Sequence, residues 1–128
     1  PWWSNYEDRP QTGIDVDSNG NPFIIYRDIN ANLSFVRHNG KNWIGGEISE
    51  NAFCSYCSLV LDKSDTPHIA STGAAGGAGE DLLYFTIKNG KWVSEAVDTS
   101  ASVGLENDIA VDAKGLFISP IGLGMIGL

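Results

Sequence analysis

Asp15, Asp17 and Asn19 place oxygen-bearing side chains at alternate positions, followed by Gly20, as the opening of a calcium loop does around a hard cation. The twelfth position of such a loop is Tyr26, where an EF-hand has glutamate, and the segment therefore reads as a hairpin turn. Cys54-Ser55-Tyr56-Cys57, expected in the loop before an inner strand, holds both cysteines of the chain. One CxxC is half of a four-ligand zinc site, and the chain has no second half. A redox role calls for a helix N-terminus to lower the thiol pKa, and none is predicted. The pair is then a local disulfide in an exported protein or two thiols in a reducing compartment, with intersubunit zinc as a third arrangement. His68 follows Pro67 at the opening of a strand, and packing there is the simpler role. No serine or cysteine nucleophile stands in a motif with a histidine and an acid. Residues 73–79, GAAGGAG, lack the Lys-Ser/Thr that follows a phosphate loop and have no helix after them, so they read as an open loop.

The elements that would position these residues are short strands. Ile14 and Val16, Leu59 and Leu61, and Ile109 and Val111 alternate with other residues and then stop at Asp17, Asp62 and Asp112. Asp17-Ser18-Asn19-Gly20 is good turn chemistry, because Asn and Gly accept positive φ. Pro22 and Pro67 then open a second strand, a place that tolerates proline. Leu33–Arg37 and Leu82–Ile87 form a third, and Asn39-Gly40 and Asn89-Gly90 turn the chain into a fourth opened by Trp43 or Trp92. Asp17 and Asp62 are 45 residues apart, Asp62 and Asp112 are 50, and Trp43 and Trp92 are 49. That is a repeat of four strands, and no useful stretch has a helical apolar period.

This pattern, with its turn-flanked tryptophan, resembles blades of bacterial and archaeal surface β-propellers, and more distantly sialidase-type and lectin propellers. The resemblance covers nearly the whole chain and implies an all-β fold of four-stranded antiparallel blades. Residues 1–12 would be an outer strand of a preceding blade with a linker, since Trp2-Trp3-Ser4 matches Trp92-Val93-Ser94. Residues 13–50 and 51–99 would be complete blades, and 100–128 a partial one. A propeller needs roughly four to eight blades to close. Closure would come from several copies of the chain or from a longer protein, with split blades completed by a neighbour. The tail 115–128 has no charged residue and is expected to be buried against something.

Asp15 stands where the other units have Val60 and Ala110, so a carboxylate there is either a ligand or metal contact near the propeller axis, or it is solvated or hydrogen-bonded by a neighbour. Arg9, Arg27 and Arg37 are the only arginines. Tyr26-Arg27-Asp28-Ile29 is similar to the arginine motif of sialidases, but the following proline and the family's Asp-box are absent. Surface ion pairing is the alternative role for these arginines. A net charge of −8 argues against binding to nucleic acid and to anionic membranes. With no cofactor or metal motif, the expectation is a non-enzymatic binding or interaction module without a cofactor, taking a glycan or protein ligand and associating with itself. Its candidate ligand contacts are Asp15, Arg27, Asp28 and Tyr56, and loop aromatics such as Trp2, Trp3, Tyr6 and Phe53 could stack on sugars. A glycoside hydrolase, sialidase-like or lyase enzyme with paired axial carboxylates is the alternative, and a purely structural propeller fragment is the third reading. The acidic, lysine-poor composition leans toward a secreted or cell-surface protein.

Overall fold

The computed structural model describes residues 12–73, 81–100, 107–112, 116–120 and 126–127. The Trp2-Trp3 strand, Tyr6, Arg9 and most of the glycine-rich loop lie outside these residues, as do the side chains of Phe53 and Tyr56. The described residues are all-β and contain no helix. In particular, none of them forms a helix long and apolar enough to cross a membrane.

The chain winds as antiparallel meanders. Strands β1 (Thr12–Val16), β2 (Pro22–Arg27), β3 (Leu33–His38) and β4 (Trp43–Ser49) form one four-stranded sheet. Strands β5 (Ala52–Leu61), β6 (Pro67–Gly73), β7 (Asp81–Lys88) and β8 (Lys91–Asp98) form a second. A third sheet has β9 (Asn107–Val111), β10 (Leu116–Pro120) and β11 (Ile126–Gly127). Each is read in chain order from its first strand, and β5 lies against both β1 and β9.

The hairpin turns explain the punctuation. At Asp17, Asp28 and Asp62 the same five-residue device recurs. The aspartate Oδ1 accepts the N–H groups two and four residues on: Asn19 and Asn21 at 2.9 and 2.8 Å, Asn30 and Asn32 at 2.8 and 3.0 Å, Ser64 and Thr66 at 2.8 and 3.0 Å. The fourth residue has positive φ, at 81° for Gly20, 64° for Ala31 and 61° for Asp65. Ionised oxygens make such caps strong, and they replace ladder bonds the turn cannot form.

Side-chain alternation along the strands then builds two cores. Phe23, Ile25 and Leu33 of the first sheet meet Ile69, Leu83 and Phe85 of the second, with Leu59, Leu61 and Trp92 packed around them. Trp92 lies on the rings of Phe23 and Phe35, at centroid distances of 6.5 and 5.4 Å. The opposite face of the second sheet, with Ala70, Leu82, Val60 and Tyr84, packs on Ile109 and Val111. The second sheet is thus covered on both faces, and β6 and β7 are buried almost throughout.

The CxxC pair is not in a loop before the strand, as its sequence position suggested, but inside β5. Register runs from Phe53↔Thr72 to Ser58↔Ala70, five residues against two, so three extra residues bulge out of the ladder. Cys54 and Cys57 bracket that bulge and are joined as a disulfide with Cα atoms 4.7 Å apart. Both are buried, with Cys57 close to Gly13 of β1.

Candidate functional site

Asp15 lies between the first two sheets. Its Oδ2 accepts the N–H of Leu61 at 2.8 Å and its Oδ1 that of Val16 at 2.8 Å. The carboxylate is therefore hydrogen-bonded by the neighbouring sheet, and it ties β1 to β5. Asp28 spends Oδ1 on its own turn and accepts the Ser34 hydroxyl on Oδ2 at 2.7 Å. That hydroxyl first, then the turn amides, hold its pKa below the usual value. Arg27 is exposed at the end of β2 and makes no ion pair or hydrogen bond among the described residues.

The four sequence candidates do not converge. Thr12 pairs with Tyr26 and Asp15 with Phe23, so Asp15 and Arg27 stand roughly 10 Å or more apart along the ladder. Arg27 and Asp28 share their end of the sheets with the Cys54–Cys57 bulge, which carries Tyr56.

At the opposite end, where the Asp17 and Asp62 turns lie, a cleft of about 270 Å³ opens between the first and second sheets. This is near the lower end of small-molecule sites, which start at about 300 Å³. Asp17, Asn21, Phe23, Arg37 and His38 line one wall, and Leu61, Asp65, Pro67 and Ile87 line the other. Asp65 joins the two turns, accepting the Ser18 N–H at 2.8 Å and the Ser18 hydroxyl at 2.6 Å.

Arg37 is the distinctive group of this cleft. Register puts it opposite Phe23, which pairs in turn with Asp15, so its strand position belongs to the inward-facing set of Leu33 and Phe35. It makes no ion pair and no hydrogen bond among the described residues, although it is near enough to Asp17 to help depress that carboxyl. The main cause of the Asp17 depression is the Asn21 N–H, so Asp17 is an ionised acceptor at neutral pH. His38 accepts the Gly40 N–H on Nδ1 at 3.1 Å, so the neutral ring carries its proton on Nε2 and keeps a donor in hand. Its ring also meets Trp43 edge-on at 5.1 Å. The cleft therefore offers a fork of cationic donors and an anionic acceptor above apolar walls.

The sequence names Arg37 only as one of three arginines and does not point to this cleft. A usable signal was present: Leu33, Phe35 and Arg37 alternate, which sets a charge on an otherwise apolar strand face.

The corresponding place beside the third sheet is filled differently. His68 holds the register position of Phe23, and Thr86 that of Arg37. His68 Nε2 meets Asp62 Oδ2 at 2.8 Å, and Nδ1 meets the Tyr84 hydroxyl at 2.7 Å. Burial alone would raise the Asp62 pKa, but the His68 bond and the turn amides outweigh it and the net shift is downward. The neutral ring then donates from Nε2 to Asp62 and accepts from Tyr84, whose own pKa burial raises. A second depression of about 410 Å³ nearby, lined by Lys63, Ser64, Val111 and Asp112, is larger but more open. Among the described residues no group of three or more His, Cys, Asp or Glu could hold a metal ion.

No family model matches the chain, and no curated protein matches it. Among solved structures it is similar to a fucose lectin from Kordia zhangzhouensis, determined in complex with methyl-fucoside. The TM-score is 0.53 at 16% identity, covering 84% of this chain and 80% of that one. At that identity the likeness concerns the fold alone: an all-β arrangement of antiparallel sheets.

Proposed function

We propose that this chain is a non-enzymatic carbohydrate-binding module of propeller type, and that the cleft between its first two sheets takes the sugar. The ring of blades is completed by further copies or by a longer chain. The observation that carries the reading is the guanidinium of Arg37, which has no ion pair among the described residues and is set with Asp17 over Leu61 and Pro67. A pyranose has hydroxyls that both donate and accept, and C–H faces that pack on apolar surface. Arg37 supplies a rigid fork of donors to adjacent hydroxyl oxygens, and Asp17 accepts a hydrogen bond from a hydroxyl. The fold shared with the fucose lectin supports the same class of ligand.

Binding fits the electrostatics better than hydrolysis. Glycoside cleavage calls for one carboxyl that stays protonated near neutral pH. Asp17 is instead held ionised by its turn, and Asp65 is engaged with Ser18. The opposite end of the sheets supplies a second reading, because Arg27 is also exposed there beside the turn of Asp28 and the bulge carrying Tyr56.

Glycan-array screening followed by calorimetry with methyl-fucoside and related monosaccharides tests both. The expected result is binding that Arg37→Ala weakens at least tenfold and Arg27→Ala leaves unchanged. The reverse pattern would move the site to the Arg27 end. A wild-type chain that binds no glycan at all sinks the carbohydrate reading.

A further inference from the structure

The first sheet leaves bare a face that its counterparts bury. Leu59 and Leu61 of β5 pack toward the first sheet, and Ile109 and Val111 of β9 pack toward the second. The residues in the same places on β1 are Ile14 and Val16, and they are 65% and 55% exposed. Trp92 of β8 is pressed onto Phe23 and Phe35, whereas Trp43, which holds the same place on β4, is 55% exposed. Ile24 and Val36 lie in the same cross-strand row as Ile14 and are only half-buried. One strip of Ile14, Val16, Ile24, Val36 and Trp43 therefore repeats the chemistry of an internal interface but packs on no other sheet among the described residues. Exposed apolar patches of this kind mark association surfaces.

We propose that this strip docks the third sheet of a second copy of the chain, head to tail. The inference rests on the propeller reading above and adds the surfaces that meet. Within one chain each later sheet sets its Leu or Ile face on the free face of the sheet before it, so the strip is the next step of an interface already used twice. The third sheet has the matching free side. Ile109 is buried toward the second sheet while Ala110, its neighbour, is exposed. Register sets Phe117 opposite Ala110, as it sets Phe23 opposite Asp15, so the two backbones run in the same register at this place. A head-to-tail contact of this sort uses two different surfaces and closes as a ring when the rotation allows.

The test measures mass by light scattering and native mass spectrometry, alone and after mixing, with no sugar present. The wild type is expected as a discrete oligomer, and Ile14→Asp and Ala110→Arg as monomers, since both positions are exposed within a chain. Mixed in equal amounts, the two variants retain one intact interface between them and form a dimer that grows no further. A monomeric wild type overturns the proposal. So does an oligomer that survives Ile14→Asp or Ala110→Arg, or a mixture that stays monomeric. Sugar binding by the two variants separates this inference from the functional one, because the cleft lies within a single copy. Loss of assembly with binding retained leaves the lectin reading standing, and an assembly that binds no glycan sinks that reading alone.

Discussion

The first and second sheets have the same meander and the same aspartate turn, yet their polar groups end differently. In the second sheet, His68 joins Asp62 to Tyr84, so three polar side chains satisfy one another under partial burial. In the first, Phe23 replaces the histidine, and Arg37 stands in the cleft with no partner among the described residues. The apolar surfaces differ too: the second sheet is covered on both faces, and the first on one. One scaffold thus makes a sealed centre where its groups pair internally and a receptive edge where one set is left open. Every buried side-chain polar atom among the described residues has a partner. The unpaired donors are therefore found at the solvent-facing cleft, where leaving them open costs little.

The comparison is broken most directly at Ile69 and Ile24, which hold the same place on β6 and β2. Ile69 is fully buried and Ile24 only half-buried. Ile69→Ala is expected to lower unfolding free energy by about 2–5 kcal/mol, and Ile24→Ala by about 1 kcal/mol, in denaturant titrations of dilute protein. Equal costs would mean that the first sheet is covered even in the isolated chain.

The turns come next. Asp62→Ala removes both a cap and the partner of His68, an expected loss of about 1–3 kcal/mol. Asp17→Ala removes a cap at a more exposed turn and is expected to destabilise less, as thermal melting would register. If the two melts fall together, the His68 link contributes nothing.

A pH series sharpens the same contrast. The carboxyls of Asp17, Asp28, Asp62 and Asp98 all have folded pKa values below the usual carboxylate value. A depressed carboxyl binds its proton more tightly in the unfolded chain. Its stabilising contribution is complete above the unfolded pKa and is lost as pH falls through the folded one. The melting temperature should hold down to about pH 4 and then fall. Asp62→Asn should shrink that acid limb. A limb of unchanged size would show that Asp62 is not among the groups responsible.

The smallest expected effect on stability belongs to Arg37→Ala, within about 0.5 kcal/mol, because an exposed unpaired cation holds nothing together. A large loss in the melt would mean that Arg37 has a structural partner and that the cleft is not a binding site.

Much of the local structure was legible in the sequence. The aspartate-to-proline hairpins, the Asn-Gly turns and the strand-opening tryptophans lie where spacing placed them, because turn chemistry acts within five residues. Asp28-Ile29-Asn30-Ala31-Asn32 shows how a readable signal was missed. It repeats the Asp-x-Asn-x-Asn of Asp17–Asn21, but Ala31 takes the positive φ where glycine would have announced it. The CxxC was misplaced for a related reason. A strand with three extra residues breaks its own alternation, so periodicity ends before the strand does.

Alternating apolar residues and turn formers, all local properties, were enough by themselves to make these segments antiparallel strands joined by capped hairpins. They could not say that the carboxylate of Asp15 would receive the N–H of Leu61, 46 residues away, or that Asp65 would meet Ser18 across 47. Nor could they say which sheet would be covered on both sides, or that Arg37 would face a neighbouring sheet instead of open solvent. Those outcomes were decided by tertiary structure, because each depends on how one sheet's face packs against the next, and that energy exists only once both faces are formed and in contact.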